Sequence, residues 1–531
     1  VDLVIRGAIV VDGTGAPRKR ASVGVVNGRI AAVDPTEKLT GARTLDGGGL
    51  ILAPGFIDTH SHSDLRLLVE PDLPMKVRQG VTLEVLGQDG ISVAPLRPER
   101  EEEEKRKLAG LLGRPDVRWT WSGMGEYLAT LERIGPSPNV AMLVPHGAVR
   151  TCVMGPEDRD PTAAELTAME KLLDVSLAEG AIGLSTGLIY PPCCYAKTPE
   201  LVALGRVLAK HGGPFVVHLR SESDRILEAI DEMVGVGRAS GCRVHISHWK
   251  IAGKENFARW REVQARVEDA QRSGVIVTCD QYPYAAGSTM LGAILPPWAH
   301  SGGAEATIAR LKNADDRARM KKQMSDPGLV EWDNFWRWTG PAGITVSDVP
   351  SGKRPALVGK SVLEGAKAAK QDPLEFVLDL LRDENLGVGM VSHNQSEDVV
   401  QEFATLPYVN VCTDGLLGGR PHPRAYGTYP RVLGRLVREK KAMTLEAAVR
   451  KMTDQAAKAM NLSGIGRIAP GCRADLVLFD AERVIDHATY EEPTRPSEGI
   501  VHVIVNGKPV LTDGKSLGRV GGGKVVRGRQ G

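Results

Sequence analysis

The sequence predicts an α/β fold: a TIM-like (β/α)8 barrel, a small β-sandwich domain formed by both chain ends, and an inserted lid or subdomain. Three observations carry that prediction. Short apolar runs alternate with helical stretches through the middle of the chain, apolar alternation with turn residues marks both ends, and one segment breaks the rhythm. At 531 residues the chain exceeds the usual size of one compact domain.

The first pieces, DLVIRGAIVVDG and ASVGVVNGRIAAVD, have the two-residue alternation of antiparallel strands, and ADLVLFD and VHVIVNGKPVLTDG repeat it near the other end. Internal NG and DG pairs supply hairpin turns. Between them come nine strand candidates: GFIDTH, VTLEVLG, NVAMLVPH, AIGLS, PFVVHLR, CRVHISH, GVIVTCD, VGMVSH and YVNVCTD. A closed barrel has eight positions, so one of the nine belongs elsewhere. TAAELTAMEKLLDVSLAEG and PELVALGRVLAKHG have helical periodicity and the length of crossover connections. From about Leu295 to Val358 the pattern gives way to Pro, Gly, Trp and dense charge, including RLKNADDRARMKKQM, which reads as one charged helix. Glu101 to Glu104 begin another exposed helix. The expected division is residues 1–52 and 466–531 for the sandwich and tail, and 53–465 for the barrel, with the insertion at about 295–358. The closing GRVGGGKVVRGRQG reads as a solvated tail.

Composition narrows the function classes. With a formal net charge of only +2 and 25% charged residues, no global field recruits nucleic acid or acidic lipid. No apolar run approaches membrane-spanning length and VDLVIRG lacks signal-peptide regions, so a cytoplasmic location is expected. The seven scattered cysteines show no CxxC pair, and the adjacent Cys193 and Cys194 read as free loop thiols. GVGRASG and GGRPHPRAYG lack the context of a dinucleotide or phosphate loop. A homo-oligomer is compatible with this composition.

GFIDTHSHSD places His60 and His62 at the i, i+2 spacing that puts both imidazoles on one strand face, with Asp58 beside them as a ligand or an orienting carboxylate. Other strand ends carry matching chemistry: His218 closes PFVVH, His248 follows CRVHIS, and Asp414 closes YVNVCTD. In a barrel, residues at the C-terminal strand ends converge. Four histidines and a carboxylate suit a zinc-like divalent ion, and Asp414 is the general-base candidate. His245, three residues before His248, reads as a packed or hydrogen-bonded histidine, and His146 as a contact to substrate or to the attacking water. GLSTGL lacks the GxSxG elbow, which disfavours a serine nucleophile.

With these residues in view, the chain resembles the amidohydrolase superfamily and, within it, the N-acyl-D-amino-acid deacylases. The resemblance rests on APGFIDTHSHSD, STGLIYPP, VVHLRSES, HISHWK, CDQYPYAAGST, CTDG, RPHPRAYGTYPRVLG and GRIAPGCRADLVLFD, and covers nearly the whole chain. It implies metal binding by His60, His62, His218 and His248, with Asp414 as acid/base and ligand. The family's NCG stretch is replaced by Gln88, Asp89 and Gly90, so Asp89 stands where a bridging cysteine would be. It also implies that Lys250 and Arg424 hold a substrate carboxylate, with Tyr190, Tyr282 and Ser288 lining the pocket. The expected cofactor is Zn2+, one or two ions, with other divalent metals open. The expected activity is hydrolysis of N-acyl-D-amino acids. A cyclic-amide hydrolase, an isoaspartyl-type dipeptidase and a non-enzymatic metal-stabilised binding protein are the alternatives.

Overall fold

The structure is a computed structural model that describes residues 1–528. Its centre is an eight-stranded parallel sheet: β1 (Phe56–Asp58), β2 (Val81–Leu86), β3 (Asn139–Pro145), β4 (Gly183–Gly187), β5 (Pro214–His218), β6 (Arg243–Ile246), β7 (Val277–Gln281) and β8 (Val409–Val411). Neighbours pair in chain order. The ring meets itself just beyond β1 and β8. There Ser61 bridges Gly415, and the Asp414 amide donates to the His60 carbonyl at 2.8 Å. The strands are almost wholly buried, as helix-covered parallel strands must be.

The helices form where the sequence carries both period and cap. Ala163–Ala178 starts at Thr162, whose hydroxyl accepts the Glu165 amide while Glu165 reaches back to the Thr162 amide. Thr198–His211 ends at Gly212, which takes the left-handed conformation that glycine tolerates.

Both chain ends enter one nine-stranded sheet, in which Ile51–Pro54 pairs antiparallel with Leu476–Phe479 and parallel with Leu3–Val10. Its two-residue period is visible in the packing. Leu52, Leu476 and Leu478 face a cluster with Ile5, Val23 and Ile504, whereas Ile51, Ala53, Val477 and Phe479 pack with Phe56 and Tyr429 toward the barrel. The NG turns form as expected, with Asn27 and Gly28, and Asn506 and Gly507, at positive φ.

The structure differs from the sequence reading in three places. The ninth strand candidate, VGMVSH, supplies Gly389–Ser392, which lies in a separate three-stranded antiparallel sheet between Gly287–Met290 and Ile344–Asp348. The departure from the barrel therefore runs from Gly287 to Ser392, longer than 295–358. RLKNADDRARMKKQM is two helices, Gly303–Lys312 and Ala314–Ser325, because the extended Asn313 accepts the Asp315 and Asp316 amides at 3.0 Å and starts a new helix. Residues 525–527 of the expected tail are docked: Val525 bridges Val140, the Val526 amide donates to the Val140 carbonyl, and Arg527 pairs with Glu132 at 2.9 Å. The last three residues of the expected tail, 529–531, lie outside the described residues.

Candidate metal centre

Six side chains meet beyond the C-terminal ends of the barrel strands. His60 and His62 follow β1, and their Nε2 atoms lie 3.3 Å apart. Asp414 follows β8 and brings Oδ1 to 3.5 Å from His60 Nε2 and 3.2 Å from His62 Nε2. Asp89, after β2, sets Oδ2 3.5 Å from both of those nitrogens and Oδ1 3.5 Å from His248 Nε2. His218, ending β5, points Nδ1 to 2.9 Å from His248 Nε2 and 4.0 Å from Asp89 Oδ1. Two ligand sets result, His60/His62/Asp89/Asp414 and Asp89/His218/His248, with Asp89 shared.

Backbone conformation makes this convergence. Asp89, His248 and Asp414 have φ of 55°, 37° and 48°, the left-handed region that non-glycine residues seldom occupy. Each is pinned in place. The His248 amide donates to Asp280 Oδ1 at 2.6 Å, and Asp89 is followed by Gly90, at φ 68°, where a Cβ would stand 2.6 Å from Cys193 Sγ. Strand β6 stops at Ile246, so strict alternation no longer governs His248 or Lys250.

These groups fit divalent metal. Ligands about 2.0–2.1 Å from a tetrahedral zinc lie about 3.3 Å from one another, the spacing seen across the cluster. Asp89 Oδ1 is buried without a hydrogen-bond partner, as an oxygen reserved for a cation would be. Burial alone would raise the Asp89 carboxyl, yet the surrounding histidines hold it well below the usual carboxylate range. Burial holds His218 down to about 4, leaving a neutral ring with a lone pair to donate. Against the opposing effect of burial, Asp414 and Asp89 push His62 up to about 9, so this half of the centre has a net affinity for positive charge.

A second layer braces the first, and most of it was not singled out from sequence. Glu222 lies behind both histidines of the second set, with Oε1 3.0 Å from His248 Nδ1 and Oε2 3.6 Å from His218 Nε2. The signal was an acid four residues after His218, within HLRSES. Asp280, closing β7, accepts from Thr59 at 2.7 Å and faces His245 Nε2 at 3.0 Å, so His245 is a hydrogen-bonded histidine as read. Asp58 is not a ligand. It pairs with buried Lys76 at 2.6 Å and accepts the Thr413 amide and hydroxyl at 2.8 and 2.6 Å, which ties β1 to β8. Lys76 also meets Glu84 at 2.7 Å.

The expected substrate-binding residues are placed as follows. Arg424 is fully buried over the Tyr282 ring, 4.3 Å from its centroid. Its Nη1 lies 2.9 Å from Asp414 Oδ2 without hydrogen-bond geometry, while Nη2 donates to the Ser288 carbonyl at 2.9 Å. Lys250 lies 2.6 Å from Glu222 Oε1 and 2.7 Å from His248 Nδ1, so its ammonium is engaged within the centre. The Tyr190 hydroxyl meets Thr289 at 2.8 Å and its ring stands edge-on to His218. The Tyr282 hydroxyl accepts from Gln395 at 2.9 Å. The Ser288 hydroxyl is taken by the Met390 carbonyl at 2.8 Å, across the three-stranded sheet. His146 is turned away from the cluster: it opens the helix His146–Met154 and is held between Thr186 at 2.9 Å and Glu200 at 2.7 Å. Cys193 and Cys194 are free thiols.

Beside the centre lies a cleft of about 140 Å3 between the segment after β4 and the inserted sheet. Leu188, Ile189, Met290, Ala293, Leu295 and Trp332 form its apolar wall, and Tyr190 separates it from His218.

Comparison with known proteins agrees with this geometry. The Amidohydrolase family model matches residues 43–397 and 413–511. The chain is 37% identical over 512 residues to the N-acyl-D-glutamate deacylase of Alcaligenes xylosoxydans xylosoxydans, covering 96% of this chain and 94% of that one. It is 34% identical over 524 residues to the D-aminoacylase of the same organism, covering 98% and 97%. The crystal structure of the N-acyl-D-glutamate deacylase from Bordetella bronchiseptica, complexed with zinc and a phosphonate mimic of the tetrahedral intermediate, is similar with a TM-score of 0.82. That match has 34% sequence identity and covers 99% of each chain.

Proposed function

This chain belongs to the amidohydrolase family, and from that premise we propose that it is a zinc-dependent enzyme that hydrolyses N-acyl-D-amino acids to a carboxylate and a free D-amino acid. The observation that carries the reading is the placement of Asp414. One of its oxygens faces His60 and His62, and the other faces Arg424 beside the Tyr282 ring.

We assign His60, His62, Asp89 and Asp414 to one ion and Asp89, His218 and His248 to a second. Bound divalent metal supplies a water of lowered pKa and polarises the amide carbonyl. Arg424 keeps Asp414 ionised, so that its carboxylate accepts the proton of the attacking water and returns it to the amide nitrogen as the C–N bond breaks. Arg424 retains buried N–H groups without hydrogen-bond partners, Nε and Nη1, which suit a substrate carboxylate. With His248 Nε2 committed to metal, its Nδ1 carries the proton and directs it to Glu222. Lys250 then has N–H groups to spare for the same carboxylate. Tyr190 and Tyr282 shape the walls on either side. The near-neutral charge balance supports a small-molecule enzyme of the cytoplasm that works without nucleic acid, and no helix among the described residues is long and apolar enough to cross a membrane.

The test is a panel of N-acetyl-D- and L-amino acids, cyclic ureides and dipeptides on metal-quantified protein, run beside Asp414→Asn. We expect D-selective cleavage, and a loss of about 10²- to 10⁴-fold in kcat for the variant with its fold retained and its metal content measured beside the wild type. Cleavage of cyclic substrates without any N-acyl-D-amino-acid cleavage, or unchanged catalysis by Asp414→Asn, would refute it.

A further inference from the structure

Resting on that reading, we propose that the apolar cleft receives the side chain of the D-amino acid, and that this chain selects uncharged apolar side chains over anionic ones. Three facts point there.

The first is position. One inserted strand, Gly287–Met290, connects the two places that a substrate must reach: the Ser288 carbonyl holds Arg424, and Met290 lines the cleft. Two residues along a strand span about 7 Å. That is the scale separating a carboxylate from the tip of a leucine, methionine or phenylalanine side chain on the same Cα. On the metal side the cleft is bounded by Tyr190, whose ring is 5.1 Å from that of His218.

The second is the absence of a free cation among the cleft's described lining residues. Arg220 is held by Glu232 through two bonds, at 2.8 and 2.9 Å, and also by the carbonyls of Cys194 and Ala196. Lys107 is paired with Glu104 at 3.0 Å. His300 donates from Nε2 to the Gly292 carbonyl at 3.1 Å, and burial holds it down to about 4, so it is neutral at physiological pH.

The third is the sign of what remains. Glu331 and Asp333 line the same cleft, and Asp333 is already satisfied by Ser221 at 2.7 Å, Ser223 at 2.8 Å and the Glu222 amide at 2.7 Å. A second carboxylate entering here would meet apolar walls and two acids, with no partner to offset its desolvation. An apolar side chain loses only water.

The experiment measures kcat/KM for N-acetyl-D-leucine, -methionine and -phenylalanine against N-acetyl-D-glutamate and -aspartate, with N-acetyl-D-alanine as the small reference. The expected preference for the apolar group is about 100-fold, the upper range available to hydrophobic discrimination. Ala293→Phe, which fills the cleft, should lower kcat/KM on the leucine and phenylalanine substrates at least tenfold more than on the alanine substrate, with correct folding read separately by circular dichroism and metal content. Met290→Lys, which adds a cation, should narrow the apolar-to-anionic ratio. Glutamate or aspartate substrates cleaved as well as the apolar ones would overturn the inference, as would an effect of Ala293→Phe that is equal on all substrates. A third arm lengthens the acyl group on D-alanine from acetyl to hexanoyl. A rate that follows acyl length and ignores the side chain assigns the cleft to the acyl chain and also overturns it. Failure to cleave any N-acyl-D-amino acid, alanine included, refutes the proposed function itself.

Discussion

Lys76→Met is expected to destabilise the barrel and to loosen its metal centre at once. The Lys76 ammonium is fully buried, 2.6 Å from Asp58 Oδ2 and 2.7 Å from Glu84 Oε1, and donates to Ser61 and Thr413 at 2.8 Å each. At an effective dielectric constant of about 20, either contact has a gross Coulomb attraction of about 6 kcal/mol, much of it offset by desolvation. Methionine fills similar space, so little cavity is created, but two carboxylates are left buried without their cation. Removing one partner of such a set costs about 3–5 kcal/mol. With an m-value of about 3 kcal/mol/M, that moves the urea midpoint down by about 1–1.7 M, read by tryptophan fluorescence. Metal bound per chain should fall in the same variant, because Asp58 holds the Thr413 amide next to Asp414. The triple variant Lys76→Met, Asp58→Asn, Glu84→Gln keeps the acceptors and removes the unpaired charge, so it should recover most of the loss. A single variant within 1 kcal/mol of wild type, or a triple variant no more stable than the single, would refute the electrostatic account.

Two further outcomes follow from named residues. Asp89→Cys replaces two hard oxygens by one soft sulfur, and is expected to raise selectivity for zinc over manganese by at least tenfold in chelator-competition titrations; unchanged selectivity would mean that Asp89 does not bridge the two sets. Burial pushes Asp333 up to about 7 despite its three donors. Because its folded pKa lies above its unfolded one, the folded state binds the extra proton between about pH 4 and 7. Stability therefore falls as pH rises through that window, by up to about 4 kcal/mol from this group. Asp333→Asn should flatten the pH dependence of the urea midpoint there, and an unaltered slope would contradict the assignment.

Much of this protein is legible locally. Two-residue alternation marked the terminal strands and their NG turns, helical period marked a crossover helix, and the spacing of His60 and His62 set both imidazoles on one side, with their Nε2 atoms 3.3 Å apart. Those features depend on residues a few positions apart, so the sequence alone determines them. Partner choice does not. VGMVSH has a barrel strand's composition, and only its pairing with Gly287–Met290 and Ile344–Asp348 places it outside the barrel. Asp58 stands at a strand end as a ligand would and His146 as a contact to substrate or water would, but Lys76 and Glu200, from other elements, claim them. Glu222 gained its bracing position because β5 and β6 are neighbours, and Asp89, His248 and Asp414 turn inward through left-handed backbone that no two- or three-residue period encodes. The sequence determined which chemical groups were available and on which elements they lay. The tertiary structure decided which of them share a charge, because a buried charge is settled by whatever partner lies within about 3 Å, however far away in the chain.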